Sequence, residues 1–299
     1  MIRKRQLASI LVLSTLAVFQ AVAIAQASQV DPIKTGYAPV DGLKLYYEIY
    51  GTGRPLVLLH GGAGSLDMFS QIVPELSRNR EVIAVDLQAH GRTADINRPL
   101  TYQMMAEDVA ALITFLGFRQ VDVMGYSLGG EVALRTAIQH PQQVSRLVLV
   151  STAFSRSGWY PEILDAEAHS GPEVAEQMKQ TPMYQLYVRT APKPENWPIL
   201  LGKLRDLLTQ DYDWSDEVRR LQTPTLLIFG DADAIQTAHA VKFFELLGGG
   251  QRDGGWDGSG ISRTRLAILP GLTHYTVFAS ASIVPTAVQF LDAPQLSRK

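Results

Sequence analysis

The sequence predicts a single doubly wound α/β domain, and three observations carry the prediction. Short unbroken apolar runs recur along the chain. Stretches of helical character separate them, and 299 residues with 46% hydrophobic content suffice for one sizeable core. Unbroken apolar runs suit strands buried on both faces of a parallel sheet, where no side is left for polar residues to alternate onto. Strand and helix in alternation then imply right-handed crossovers that place helices on both faces.

Residues 1–27 differ from the rest. Arg3, Lys4 and Arg5 precede an apolar run over 7–25, and Ala23-Ile24-Ala25 or Ala25-Gln26-Ala27 offers a small-residue exit. This is the pattern of a secretory signal peptide, so the working chain is expected to be exported, periplasmic or secreted, with no membrane partner after cleavage. An uncleaved membrane anchor is the alternative, since the run approaches spanning length. Removing 1–27 takes away three positive charges and no negative ones, leaving 24 Lys+Arg against 29 Asp+Glu.

Asp41-Gly42 separates short runs at 37–40 and 43–50 and predicts a hairpin, because both turn residues tolerate positive φ. Further strands are expected at 55–59, 82–85, 121–124, 147–150, 225–229 and 265–269. Helices are expected over 67–76, 102–116, 128–139, 238–247 and 275–291, with Thr101 as N-cap of the second. Residues 154–218 break the alternation. Prolines punctuate short helix-like pieces there, and Phe154, Trp159, Tyr160, Met178, Met183, Tyr184, Tyr187, Trp197 and Trp214 concentrate apolar surface, which reads as an inserted helical cap. The Gly-rich stretch 248–260 lacks phosphate-loop spacing and reads as a flexible surface loop.

Composition excludes several classes. The formal charge of −2 gives no basic footprint for nucleic acid. Cysteine is absent, which removes disulfides and thiol catalysis, and no Cys/His cluster has metal-ligand spacing. No metal or organic cofactor is implied.

Gly125-Tyr126-Ser127-Leu128-Gly129-Gly130 sits between a predicted strand and a predicted helix. The spacing G-x-S-x-G suits a tight strand-to-helix turn, with glycines leaving room for neighbouring backbone while the serine hydroxyl is pushed out at the carboxyl edge of the sheet. A serine hydroxyl needs a base to become a nucleophile, and histidine is the usual one. Of six histidines, His140 precedes Pro141 and ends a helix, His169 lies in the cap and His239 opens a helix. His274 follows the last strand through Pro270-Gly271-Leu272-Thr273 and is the expected base. An imidazole base needs a carboxylate to fix its tautomer. Asp231 and Asp233 both follow the strand at 225–229; Asp233 is taken as the partner, and Asp231 as shaping the turn through an Asx-type bond.

These residues resemble the α/β-hydrolase fold family. His60-Gly61-Gly62, Asp86 with His90-Gly91-Arg92, and the segments 125–130, 230–233 and 270–274 carry a likeness that spans residues 37–291. The resemblance implies eight mostly parallel strands, with the helical cap inserted after strand 6, the core at 28–153 and 219–299, and the cap at 154–218. The chain order Ser127, Asp233, His274 matches the family's. The resemblance also implies that the N–H groups of Gly62 and Leu128 form an oxyanion hole, that His60 braces its loop, and that Asp86, His90 and Arg92 form a structural turn. Ala89 stands where glycine is frequent in the family, and 234–237 lacks the proline often found after the acid. Members that open epoxides or displace halide carry Asp as nucleophile, so Ser127 points away from both activities.

The expected reaction is therefore acyl transfer to water through Ser127, with a small-molecule ester of small to medium apolar character as substrate. Alkoxides leave more readily than amines, and no conspicuous paired-carboxylate motif suggests an amine-reading site. Carbon–carbon bond hydrolysis, amide cleavage and perhydrolysis use the same residues, and a non-catalytic ligand-binding protein on this fold is the alternative outside enzymes.

Overall fold

The computed structural model describes residues 30–294, so the predicted leader lies outside the described residues. Their strands are β1 (Lys34–Val40), β2 (Leu43–Tyr50), β3 (Arg54–Leu59), β4 (Arg80–Val85), β5 (Val121–Tyr126), β6 (Val144–Val150), β7 (Thr225–Ala232) and β8 (Arg265–Thr273). They form one eight-stranded sheet in the order β1-β2-β4-β3-β5-β6-β7-β8. The β1–β2 hairpin and the β2–β4 pair are antiparallel, and every later pair is parallel. Asp41 and Gly42 take φ 45° and 80°, the positive values that their hairpin turn requires.

The helices are α1 (Val73–Leu76), α2 (Tyr102–Phe115), α3 (Leu128–Gln139), α4 (Pro161–Ala168), α5 (Ala175–Met178), α6 (Pro182–Thr190), α7 (Trp197–Leu208), α8 (Ser215–Arg220), α9 (Thr237–Leu246), α10 (His274–Val277) and α11 (Ile283–Leu291). The Thr101 hydroxyl accepts from the Met104 N–H at 3.0 Å and caps α2 as expected.

The apolar runs are explained by burial on both sides. Val57 and Leu59 of β3 join the core packed by α2, α3 and α9, whereas Leu56 and Leu58 join the opposite core packed by α1 and α11. Alternate side chains of one strand thus feed two layers, and neither face of the central strands reaches water. All of β5 is buried.

Two predicted helices are each divided. The expected helix over 67–76 becomes a 3₁₀ turn at Leu66–Phe69 followed by α1. Pro74 has no N–H to give a carbonyl four residues back, so a continuous helix fails there and restarts with Pro74 in its first turn. Pro285 divides 275–291 in the same way, leaving α10 and α11. β8 runs beyond its predicted end and includes Pro270, which an edge strand tolerates.

Helices α4 to α8 fill the connection between β6 and β7, with α8 ending at Arg220, just past the expected boundary. Isolated bridges from Ser155 to Asp213 and from Trp159 to Ile235 tie this cap to the core. Trp159, Tyr187, Trp197 and Trp214 are buried in the core that the cap shares with α2 and α3, so these aromatics pack the cap down. Among the described residues no helix is long and apolar enough to cross a membrane.

Candidate active site

Ser127 directly follows β5 and has φ 52° and ψ −125°, a conformation that L-residues adopt only under constraint. The flanking glycines supply the constraint by close approach. A Cβ on Gly125 would lie 2.1 Å from the Gly129 carbonyl oxygen, and one on Gly129 would lie 2.3 Å from that of Leu59. Gly125→Ala is accordingly expected to lower stability by about 3 kcal/mol or more, read as a fall in unfolding midpoint.

The carboxylate and the imidazole arrive on neighbouring strands. The parallel pairing of β7 with β8 is irregular after Gly230↔Leu269 and resumes at Ala232↔Thr273. Asp233 and His274 are the residues immediately after the two strands, so the irregularity sets them side by side although 41 positions separate them. His274 Nδ1 lies 2.9 Å from Asp233 Oδ1, and His274 Nε2 lies 3.0 Å from Ser127 Oγ. The hydrogen-bond network assigns the tautomer: Nδ1–H donates to the carboxylate, and Nε2 accepts from the serine hydroxyl.

Asp233 is anchored further. The Ser151 hydroxyl and the Gly230 N–H donate to Oδ2, and the Ile235 N–H donates to Oδ1 at 3.2 Å. Burial pushes this carboxyl up, but hydrogen bonds from His274, Ser151 and Gly230 together with the imidazole charge outweigh it and hold the group below its ordinary range. Asp231 does not form the expected local Asx bond; it accepts from the Gly271 N–H at 2.8 Å, pinning the start of the β8 irregularity instead. The Tyr126 hydroxyl donates to the His274 carbonyl at 2.8 Å and fixes the backbone that carries the base. Ser151 and Tyr126 went unrecognised in the sequence. Ser151 follows β6 as Ser127 follows β5, and that equivalence was the available signal.

The N–H groups of Gly62 and Leu128 meet no acceptor among the described residues, and both residues line the cavity in front of Ser127. A Cβ on Gly62 would lie 3.8 Å from Leu128 Cδ2, which places the two residues together.

The other histidines are occupied elsewhere. His60 Nδ1–H donates to the Gly61 carbonyl at 2.7 Å, and its Nε2 accepts from the Leu87 N–H at 3.1 Å. His90 Nδ1–H donates to the Gln88 carbonyl, and its Nε2 accepts from the Ala63 N–H. Two neutral rings thereby stitch the 60–63 loop to the turn after β4. Asp86 holds the same turn through the N–H groups of Leu66 and Arg92. His140 reaches Glu107, His169 is an exposed cap residue, and His239 accepts from the Phe154 N–H.

Burial lowers His60 from 6.5 to about 3. As pH falls from 6.5 toward that value, the unfolded chain takes up a proton that the folded chain refuses, so the stability associated with His60 is present above 6.5 and lost on acidification. The stability difference between wild type and His60→Gln is expected to shrink by more than about 2 kcal/mol between pH 7 and pH 4, measured by denaturant unfolding.

The cavity has a volume of about 580 Å³ and reaches from Ser127 and His274 up to the cap, with Trp159, Ile163, Met178, Met183 and Leu204 in its wall. Glu131 of α3 and Glu167 of α4 also line it, two carboxyls that no sequence motif had linked. The pair escaped notice because one member belongs to a core helix and the other to the cap. Among the described residues, no group of three or more His, Asp or Glu side chains is placed to hold a metal ion.

Comparison with known proteins agrees with this architecture. The chain is 28% identical over 273 residues to a non-heme haloperoxidase of Rhodococcus erythropolis, covering 82% of this chain and 94% of the relative. It is 36% identical over 116 residues to a soluble epoxide hydrolase of Corynebacterium sp. strain C12, covering 38% of this chain and 40% of that one. A carboxylesterase structure from Bacillus subtilis superposes with a TM-score of 0.65 at 21% identity, covering 87% of this chain and 91% of that one, a likeness of fold. The family model described as the alpha/beta hydrolase fold matches residues 54–253, a span that holds the serine turn and Asp233 and stops short of His274. That match covers most of the sheet as well as the strained turn, and the chain belongs to the α/β-hydrolase fold family.

Proposed function

We propose that this protein is a serine hydrolase that cleaves carboxylic esters of small to medium apolar substrates through an acyl-enzyme. The observation that carries this reading is the contact series Ser127 Oγ, His274 and Asp233 at the base of a largely apolar cavity. Ser127 Oγ attacks the ester carbonyl carbon while His274 Nε2 takes its proton. Negative charge develops on the carbonyl oxygen, and the free N–H groups of Gly62 and Leu128 receive it; one such donor is worth about 3 kcal/mol in the transition state. The bond to the alcohol oxygen breaks, and the imidazolium returns its proton to the departing alkoxide. Water then attacks the acyl carbon, giving a proton to His274 that passes to Ser127 Oγ as the acid leaves. Asp233 stays ionised throughout and stabilises the imidazolium.

The cavity lining supports apolar acyl or alcohol groups. With p-nitrophenyl esters of increasing acyl length, kcat/KM is expected to rise by about 0.8 kcal/mol, or several-fold, for each methylene buried until the cavity is filled. Absence of turnover on every ester, with cleavage of amides or of a carbon–carbon bond, would overturn the ester assignment. A second reading, perhydrolysis, has the likeness to a non-heme haloperoxidase in its favour: hydrogen peroxide would replace water in the second step and release a peracid. We also place the working protein outside the cytoplasm after removal of residues 1–27, which mass measurement of the exported chain tests.

A further inference from the structure

Glu131 lies four residues after Ser127, one turn into α3 and on the same side of the helix. It is 1% exposed, and it lines the same cavity as Ser127. Its Oε1 accepts from the Ala153 N–H at 3.3 Å and from the Tyr212 hydroxyl at 3.5 Å. Its Oε2 is buried with no hydrogen-bond partner among the described residues. A buried carboxyl oxygen without a partner is unfavourable, and a donor brought to it would be stabilising.

Glu167 reaches the same cavity from the cap. No lysine or arginine is among the residues lining that cavity. Arg156, outside that lining, pairs with Asp211 and the Leu208 carbonyl, and its charge still reaches Glu167. Burial pushes Glu167 up to about 7, with Arg156 opposing the rise. Burial also drives Glu131 well above its ordinary value, and the charge of Glu167 adds to that. The charge of Glu167 therefore adds to the cost of ionising Glu131, and a cation placed between the two carboxyls would relieve it. A neutral hydroxyl would need only one acceptor, whereas an ammonium group has three donors and a charge that both walls can meet. The indole of Trp159 on the same wall adds an aromatic surface suited to a cation.

We propose that Glu131 and Glu167 together bind a protonated amine on the substrate, so that the preferred esters carry an ammonium group set apart from the scissile carbonyl. This rests on the serine-hydrolase reading for the word substrate, but the binding itself does not require turnover. The test is calorimetric titration of the full chain at pH 8, where Glu167 is ionised, with n-hexylammonium chloride and with 1-hexanol as an uncharged match. The ammonium is expected to bind at least about tenfold more tightly, a difference of about 1.4 kcal/mol. Glu131→Gln and Glu167→Gln are each expected to reduce that ratio to below about threefold. Glu167 lies in the cap and is half-buried, so its variant serves if Glu131→Gln does not fold. Equal binding of the two ligands by wild type, or an unchanged ratio in the variants that fold, would overturn the proposal. Labelling by a fluorophosphonate reads Ser127 separately: a chain that labels but shows no ammonium preference refutes this inference alone.

Discussion

Ser127→Ala is expected to lower kcat by about 10⁶-fold while leaving the unfolding midpoint nearly unchanged. The hydroxyl reaches His274 at 3.0 Å and is the atom that attacks. Alanine occupies the same space and keeps the same φ of 52°, so the turn neither gains nor loses strain. His274→Ala is expected to lose about as much, because an unassisted hydroxyl is a poor nucleophile. Residues that act as one unit lose activity together, so the double variant is expected to fall no further than either single one. Steady-state rates on one activated ester check all three variants. Losses that multiply in the double variant would show that the two side chains act independently.

Asp233→Asn is expected to lower kcat by about 10⁴-fold, because an amide beside Nδ1 favours the wrong imidazole tautomer and leaves the imidazolium without its anion. Asp231→Asn is expected to change kcat by less than about tenfold, since asparagine keeps an oxygen for the Gly271 N–H. The carboxyl of Asp233 is held below its ordinary value of 3.8. Its contribution to stability is therefore present above 3.8 and lost as pH falls through the lower folded value. In the working range it remains ionised, so this carboxylate is expected to add no step to the acid limb of kcat/KM against pH. A limb with a slope of two would show the carboxylate titrating.

The sheet, the serine turn and the histidine loop were legible in the sequence because local rules govern each. The unbroken apolar runs reported burial on two faces, and the glycines around Ser127 reported backbone approaches that any Cβ would block. The helices at 67–76 and 275–291 were drawn too long because the apolar pattern continues across Pro74 and Pro285, while the missing N–H interrupts the hydrogen bonding. Asp231 was placed correctly at the strand end but given a local partner; its acceptor role spans 40 residues and depends on the β7–β8 irregularity. Ser151 and the pairing of Glu131 with Glu167 in one cavity depend on which elements become neighbours in space. Such neighbours leave no spacing pattern in a single chain.

The central claim is that Ser127, His274 and Asp233 work as one proton-relaying nucleophile. Treatment of the full chain with a fluorophosphonate, followed by peptide mass analysis, tests it most directly. The expected result is a single adduct on Ser127 that disappears in Ser127→Ala and forms far more slowly in His274→Ala. An unlabelled Ser127 in the folded wild-type chain, or labelling at the same rate without the imidazole, would contradict the account.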